Sequence, residues 1–505
     1  MYSNVTYPDD IWSEIFKFLS PSELYRVIQS CQQFYRTAIR ELYRHIIYSD
    51  TLGFMDNLTL WNLAILNPAN PTDSESASLR NIPKSVTVGH RVGRALAASA
   101  FAEHFEEMGS MAYDYGQALL GMNNKFFQLL SSFTSLQHLH FDHCEIPFTL
   151  FGYLRGLDTL KRLSFVKCTT TYSTFADWLK ILGSVTPVPF CNYQFTVEEL
   201  VVWCCIVNAR SRSSSASPDH LHTQAFPITA DPLCSLSICK PRILRLDWSL
   251  HTLSYLDVIA SGDGIEWYLE QSLVELELRM SLEVYSPLGG ITKRDRLVDF
   301  LRRCTGLRVL SVVGLVAPIS FRAQRSPEPV QLYHLESFTG PLDLLSFVMF
   351  NHNVLKQLAF TDHVKTPEEI TKSLNSLDLP SLRVLELVLD SWHPDILQVI
   401  VQRFPTLYGL KIGYGNYRSL LRTPKFFLGP SASDSREEVK AYVMRFGEAC
   451  PSLEKVRLVK EFVWRRDIKG EGFGDWYQCK DVDGEGRLAV VSDLEDGKIE
   501  NLSYY

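Results

Sequence analysis

Residues 136–144 read LQHLHFDHC, and residues 160–168 read LKRLSFVKC. In both, apolar side chains hold the first, fourth and sixth places (Leu136, Leu139 and Phe141; Leu160, Leu163 and Phe165), and a cysteine holds the ninth. Alternation from the third place to the seventh marks a short strand with one buried face. The pattern returns at Val197, Leu200 and Val202; at Ile243, Leu246 and Trp248; at Leu273, Leu276 and Leu278; and at Leu307, Leu310 and Val312. It continues at Leu355, Leu358 and Phe360; at Leu382, Leu385 and Leu387; at Leu407, Leu410 and Ile412; and at Leu453, Val456 and Leu458. Leu335 and Phe338 begin a degenerate copy that fails at Gly340.

Several start-to-start spacings are short: 24 (136 to 160), 30 (243 to 273), 27 (355 to 382) and 25 (382 to 407). They are close to the ~20 to 29 residues of leucine-rich repeats, and the longer gaps imply insertions. Stretches such as Thr174 to Leu182 and Ile396 to Phe404 have helical periodicity and are expected to return the chain outside the strands. The expected fold is therefore α/β, an irregular leucine-rich-repeat solenoid or horseshoe. Cys144, Cys168 and Cys205 fill the ninth place, and Cys304 and Cys450 stand three residues before a repeat's first Leu. Burial of a small, weakly polar thiol at a turn accounts for all five.

Upstream, residues 7–46 read YPDDIWSEIFKFLSPSELYRVIQSCQQFYRTAIRELYRHI. Ile11, Ile15 and Leu19 make one helical stripe behind the acidic pair Asp9-Asp10. Ser20-Pro21-Ser22-Glu23 is a capping box that starts a second helix at residue 21, with Leu24, Val27, Ile28 and Cys31 on its apolar side. Phe34, Ala38 and Leu42 make a third helix. A unit this small keeps most of its surface exposed, so so much apolar side chain implies a permanent partner.

This segment resembles an F-box. The residues carrying the resemblance are Pro8, Ile11, Ile15, Phe18, Leu19, Ser20, Pro21, Leu24, Val27, Cys31, Phe34 and Tyr35, with Tyr7 and Asp10 departing from the usual Leu and Glu. Together with the repeats, the chain resembles the large fungal class of F-box leucine-rich-repeat proteins. The resemblance implies an N-terminal three-helix F-box (1–50), a helical linker with a polar loop (51–130), a leucine-rich-repeat domain (131–465) and a C-terminal tail (466–505). It implies a substrate-recognition subunit of an SCF-type cullin-RING ubiquitin ligase: a Skp-type adaptor on the F-box, and an unknown protein target on the repeats. Adaptor contacts are expected from Pro8, Ile11, Ile15, Phe18, Leu19, Pro21, Leu24, Val27, Cys31, Phe34 and Tyr35.

Target contacts are expected at the third, fifth and seventh places of the repeats: His138, His140 and Asp142; Glu199 and Trp203; Glu275, Glu277 and Arg279; Lys455 and Arg457. Their signs change along the array, which argues against a nucleic-acid groove. The whole chain has 505 residues, 50 Lys+Arg, 57 Asp+Glu and a net charge of −7, too mild to advertise nucleic acid or an anionic membrane. Its longest clean apolar runs, such as Leu344 to Phe350, are far below the ~18 to 20 residues of a membrane helix. With no signal segment after Met1, the expected setting of its 11 cysteines is a reducing cytosol or nucleus.

Enzyme chemistry is not expected. No C-x-x-C pair, G-x-S-x-G, H-E-x-x-H or phosphate-binding loop occurs. His138, His140 and Asp142 alternate on one strand face and are the best foothold for a metal, but polar residues are ordinary at those places, so neither metal nor cofactor is expected. Asp481 to Gly486 lacks the bidentate Glu of a calcium loop, having Ser492 at its last place. The rival to a ligase receptor is a protein-interaction scaffold that uses the same repeat surface without joining a ligase.

Overall fold

The computed structural model describes residues 8–61, 80–93, 125–144, 154, 156–171, 197–203, 206–208, 240–248, 272–280, 300–313, 330–345, 348–351, 353–360, 367–389, 394–414, 432–459, 462–466, 476–481 and 488–490. The chain divides into two compact units, 1–273 and 274–505. Cys205, the stretch Thr174 to Leu182 and the acidic turn after Asp481 lie outside the described residues.

The first unit opens with three helices, α1 (Asp9–Phe16), α2 (Pro21–Ile28) and α3 (Gln32–Leu42). The capping box forms as the sequence implies: Glu23 N–H donates to Ser20 Oγ at 3.4 Å, and Ser20 N–H donates to Glu23 Oε2 at 2.8 Å. Cys31 belongs to neither helix interior. Its sulfur accepts from Phe34 N–H at 3.5 Å and so caps α3, because the chain has already left α2 at Gln29. Phe16, Leu24 and Ala38 are buried among the helices, with Trp12 and Phe34 ring to ring at 4.6 Å beside them.

A parallel ladder follows: β1 (His45–Tyr48), β2 (Ser85–Val88), β3 (His138–Asp142), β4 (Arg162–Val166), then, past the short β5 (Thr169–Thr171), β6 (Glu199–Trp203) and, past β7 (Ile206–Asn208), β8 (Ile243–Trp248). β5 and β7 pair with each other as a separate two-stranded sheet. The helix α4 (Thr51–Trp61) and helical residues 125–132 stand between strands, and the segment 51–130 also carries the strand β2.

One backbone device repeats from strand to strand along the parallel ladder of this unit. The carbonyl at the second place accepts two N–H groups from the next repeat: Arg44 O from Lys84 (2.9 Å) and Ser85 (3.1 Å), Lys84 O from Gln137 and His138 (both 2.9 Å), and Gln137 O from Lys161 (2.7 Å) and Arg162 (2.9 Å). This double acceptance fixes register, so Val86, Leu139, Leu163, Leu200 and Leu244 stack as one buried row. Val88, Phe141, Phe165, Val202 and Leu246 form the next row, with Phe141 and Phe165 stacked at 5.6 Å. Each such side chain contributes about 1.5 to 3 kcal/mol of burial free energy.

Register corrects two readings. The fourth repeat begins at Pro241, not Ile243: Leu200 is opposite Leu244 and Val202 opposite Leu246, while Ile243 is only half-buried. Pro83 is the buried first residue of the β2 repeat in the same way. The copy at Leu335 does not fail. Gly340 is the buried sixth residue of a regular strand, and a Cβ there would meet Phe338 Cζ at 3.0 Å and Val312 Cβ at 3.4 Å, so the large ring at the fourth place leaves no room for a side chain at the sixth.

The second unit continues the same plan within itself. Its parallel strands are β9 (Glu275–Met280), β10 (Val309–Val313), β12 (Ser337–Gly340), β14 (Gln357–Phe360), β15 (Val384–Leu389), β16 (Gly409–Tyr414) and β17 (Lys455–Val459). β11 (Val330–Leu332) and β13 (Val348–Phe350) pair apart from them. Helices Pro367–Ser376 (α5), Pro394–Arg403 (α6) and Ala432–Ala449 (α7) return the chain between successive strands, burying Ile370, Leu374, Ile396, Ile400, Val443 and Phe446. β18 (Phe462–Arg466), β19 (Trp476–Asp481) and β20 (Leu488–Val490) then run antiparallel, so the segment read as a tail carries strand.

Cys31, Cys144, Cys168, Cys304 and Cys450 are free thiols. Cys144 Sγ donates to Val88 O at 3.1 Å and Cys168 Sγ to Phe141 O at 3.4 Å, each reaching the preceding repeat's sixth residue. Positive φ at His143 (53°) and Lys167 (52°) turns each cysteine inward. A Cβ on Gly93 would lie 2.5 Å from Cys144 Cβ, so only glycine lets the helical turn at residues 90–93 close over that thiol.

Candidate functional site

Two surfaces invite a functional reading. The first is the outside of α1 to α3. Among the described residues, ten large apolar or aromatic side chains stay exposed, and seven of them lie before residue 56: Ile11, Ile15, Phe18, Tyr25, Tyr35, Ile47 and Met55. Phe18, in the turn between α1 and α2, is 88% exposed. Leaving these in water forgoes their burial free energy, and large exposed apolar patches are a general property of interaction sites.

The residues expected on this surface separate into three groups. Pro8, Ile11, Ile15, Phe18, Pro21, Cys31 and Tyr35 are exposed. Leu19, Val27 and Phe34 are half-buried against the helical core, touching it on one side. Leu24 is inside that core at 4% exposure and holds α2 to its neighbours. Tyr25 was not in the expected set and is 57% exposed. Its neighbour Tyr43 has its phenol pushed up by burial and by the nearby phenols of Tyr35 and Tyr25. Helical periodicity did not single out Tyr25, because in a bundle this small both sides of a helix are apolar.

The second surface is the face of each ladder formed by the third, fifth and seventh places. Along β3 the pattern is as expected: His138 exposed, Leu139 and Phe141 buried, His140 and Asp142 half-buried. Burial lowers the His140 pKa, and Arg162 adds to that while Asp142 and Cys168 oppose it. Asp142 Oδ1 lies 2.7 Å from His143 Nδ1. Glu199 and Trp203 are half-buried, in register two strands from His138 and Asp142. Glu199 lies between two arginines, 3.3 Å from Arg162 Nε and 2.9 Å from Arg245 Nε. Those arginines were not expected; placing the fourth repeat two residues late hid that Arg245 occupies the fifth place.

This face is not uniformly open, since Ser164 and Val201 at the fifth place are buried. In the second unit Glu275 and Glu277 are half-buried, Arg279 is exposed 3.5 Å from Glu277, Lys455 is exposed and Arg457 half-buried. Each unit carries its own set. Among the described residues, no three His, Cys, Asp or Glu side chains converge as a metal site, and no helix is long and apolar enough to cross a membrane.

Comparison with known proteins bears on the first surface. The family model F-box-like matches residues 8–49, the three helices and β1. No curated protein matches the chain.

Proposed function

We propose that this chain is the substrate-recognition subunit of an SCF-type cullin-RING ubiquitin ligase. An F-box-like domain of this kind generally binds a Skp-type adaptor, and the observation that carries the reading is the exposed apolar surface of α1 to α3 within the matched residues. Burying about five such side chains, Ile11, Ile15, Phe18, Tyr25 and Tyr35, offers a gross ~8 to 15 kcal/mol against an association cost of ~4 to 15 kcal/mol, to which the half-buried Leu19, Val27 and Phe34 add. The ladder is read as a leucine-rich-repeat solenoid of the fungal F-box class, with its third, fifth and seventh places holding a protein target in the cytoplasm or nucleus. The receptor does no chemistry. It raises the local concentration of the target's lysines near a charged conjugating enzyme and leaves bond formation to other subunits.

Co-purification of the adaptor with wild type and with the double variant Ile15→Asp, Phe18→Asp tests this. Both positions are exposed, so the variant is expected to fold as wild type does by thermal unfolding while adaptor recovery is lost. Undiminished recovery overturns the proposal. Leu24→Asp is unsuitable, because a charge in the bundle interior unfolds it. Adaptor without cullin in the wild-type eluate favours a scaffold outside any ligase.

A further inference from the structure

The stacked carbonyls that set register in the first unit also align a row of side chains. At the second place of successive repeats stand Arg44, Lys84, Gln137, Lys161 and Glu198, and at the third His45, Ser85, His138, Arg162 and Glu199. From β1 to β4 this rim holds four permanent cations and two histidines. Arg44 pairs with Glu41 at 3.1 Å, and Arg162 shares Glu199 with Arg245. Lys84 and Lys161 have no ion-pair partner among the described residues. Acid returns only at Glu198 and Glu199. In a chain of net charge −7, this strip is a local reversal of sign.

In the corresponding row of the second unit Glu336 takes Arg308 on one side and Lys356 at 2.8 Å on the other, so these two second-place cations share one carboxylate of the row itself. The first unit's strip also registers electrically: burial lowers the His45 pKa, and Arg44, His138 and Lys84 lower it further while Glu41 opposes them.

We propose that this strip is a docking surface for an acidic protein segment, a run of Asp and Glu in the target, laid across the starts of β1 to β4. Neighbouring strands are about 4.8 Å apart, which places Lys84 and Lys161 about 9.6 Å apart along the row. Cations at the starts of β1, β2 and β4 match negative charge spread along a chain; a single phosphoryl group would engage only one or two of them. Lysine ammoniums, as mobile point charges, suit carboxylates arriving at variable positions. The inference rests on the receptor reading only for the word target.

The test uses the full chain and a fluorescein-labelled oligoglutamate peptide, followed by fluorescence anisotropy. The comparison arms are an uncharged Gly/Ser peptide, a neutral peptide bearing one phosphoserine, and a single-stranded oligonucleotide of matched charge. Oligoglutamate is expected to bind, to release as salt rises from about 0.05 to about 0.5 M, and to bind at least about tenfold more weakly to Lys84→Glu, Lys161→Glu. A Lys84→Gln, Lys161→Gln variant is expected to fall in between. Unfolding midpoints of all variants should equal wild type, since neither side chain is buried. Absent oligoglutamate binding, binding indifferent to the lysines, or tighter binding of the phosphoserine peptide or the oligonucleotide each overturns the proposal. Adaptor recovery from the same preparations separates the two readings: its loss with peptide binding intact overturns ligase membership alone, and the converse overturns the acidic strip alone.

Discussion

The three-helix segment and the ladder behind it solve the burial problem in opposite ways. The helices bury only Phe16, Leu24 and Ala38 fully on the apolar side and leave Ile11, Ile15 and Phe18 in water. The ladder buries the fourth- and sixth-place apolar residues of its strands from Val86 to Ile412, because each repeat covers the one before it. A repeat is completed by its own chain; among the described residues the helical segment has no such neighbour over Ile11, Ile15 and Phe18.

The contrast can be broken most severely at the stacked rings. Phe165→Ala removes a fully buried side chain that lies on Phe141, and a loss of about 3 to 5 kcal/mol is expected in denaturant unfolding. A loss below about 1 kcal/mol would mean that the repeats are not closely packed against one another. Ser20→Ala takes away the cap of α2 and is expected to cost about 1 kcal/mol, read as weaker adaptor recovery at raised temperature with the ladder's unfolding unchanged. If both regions shift together, they fold as one cooperative body and the contrast is one of surface only.

The smallest effect concerns Glu336. Lys356 and Arg308 hold its carboxyl below the ordinary carboxylate range, so the folded state binds its proton less readily than the unfolded chain. The stabilisation is therefore present above the unfolded pKa of 4.5 and fades as pH falls through the lower folded value. All three side chains keep contact with water, which limits the network to under about 1 kcal/mol. Glu336→Gln should flatten the acid limb of the second unit's stability slightly, and an unchanged limb would show that the pairs contribute nothing.

Much of this was legible from residue order. Leu139, Leu163 and Leu200 announce their strands by alternation, and Ser20 with Glu23 announces a helix start. What misled was proline and glycine. Pro83 and Pro241 are buried as first residues of their repeats, but a residue without an N–H does not read as a strand-leading leucine, and the apolar Ile243 and Trp248 drew the pattern two places late. Gly340 looked like a break because the ring that fills its space belongs to Phe338, a fact of three dimensions. The inward turn of Leu24 and the pairing of Arg162 and Arg245 through Glu199 depend on neighbours that lie far off in the chain.

The doubly accepting carbonyl at the start of each strand bears on how such a chain changes over generations. Because each strand takes its alignment afresh from the carbonyl beside it, an error of length in one returning arc is not passed on to the next. Start-to-start distances of 20 (335 to 355) and 46 (407 to 453) coexist in the second unit with strands in phase. Insertions and deletions between strands are therefore local events, and the array can drift in length, loop by loop, without losing the frame that aligns its rows of side chains.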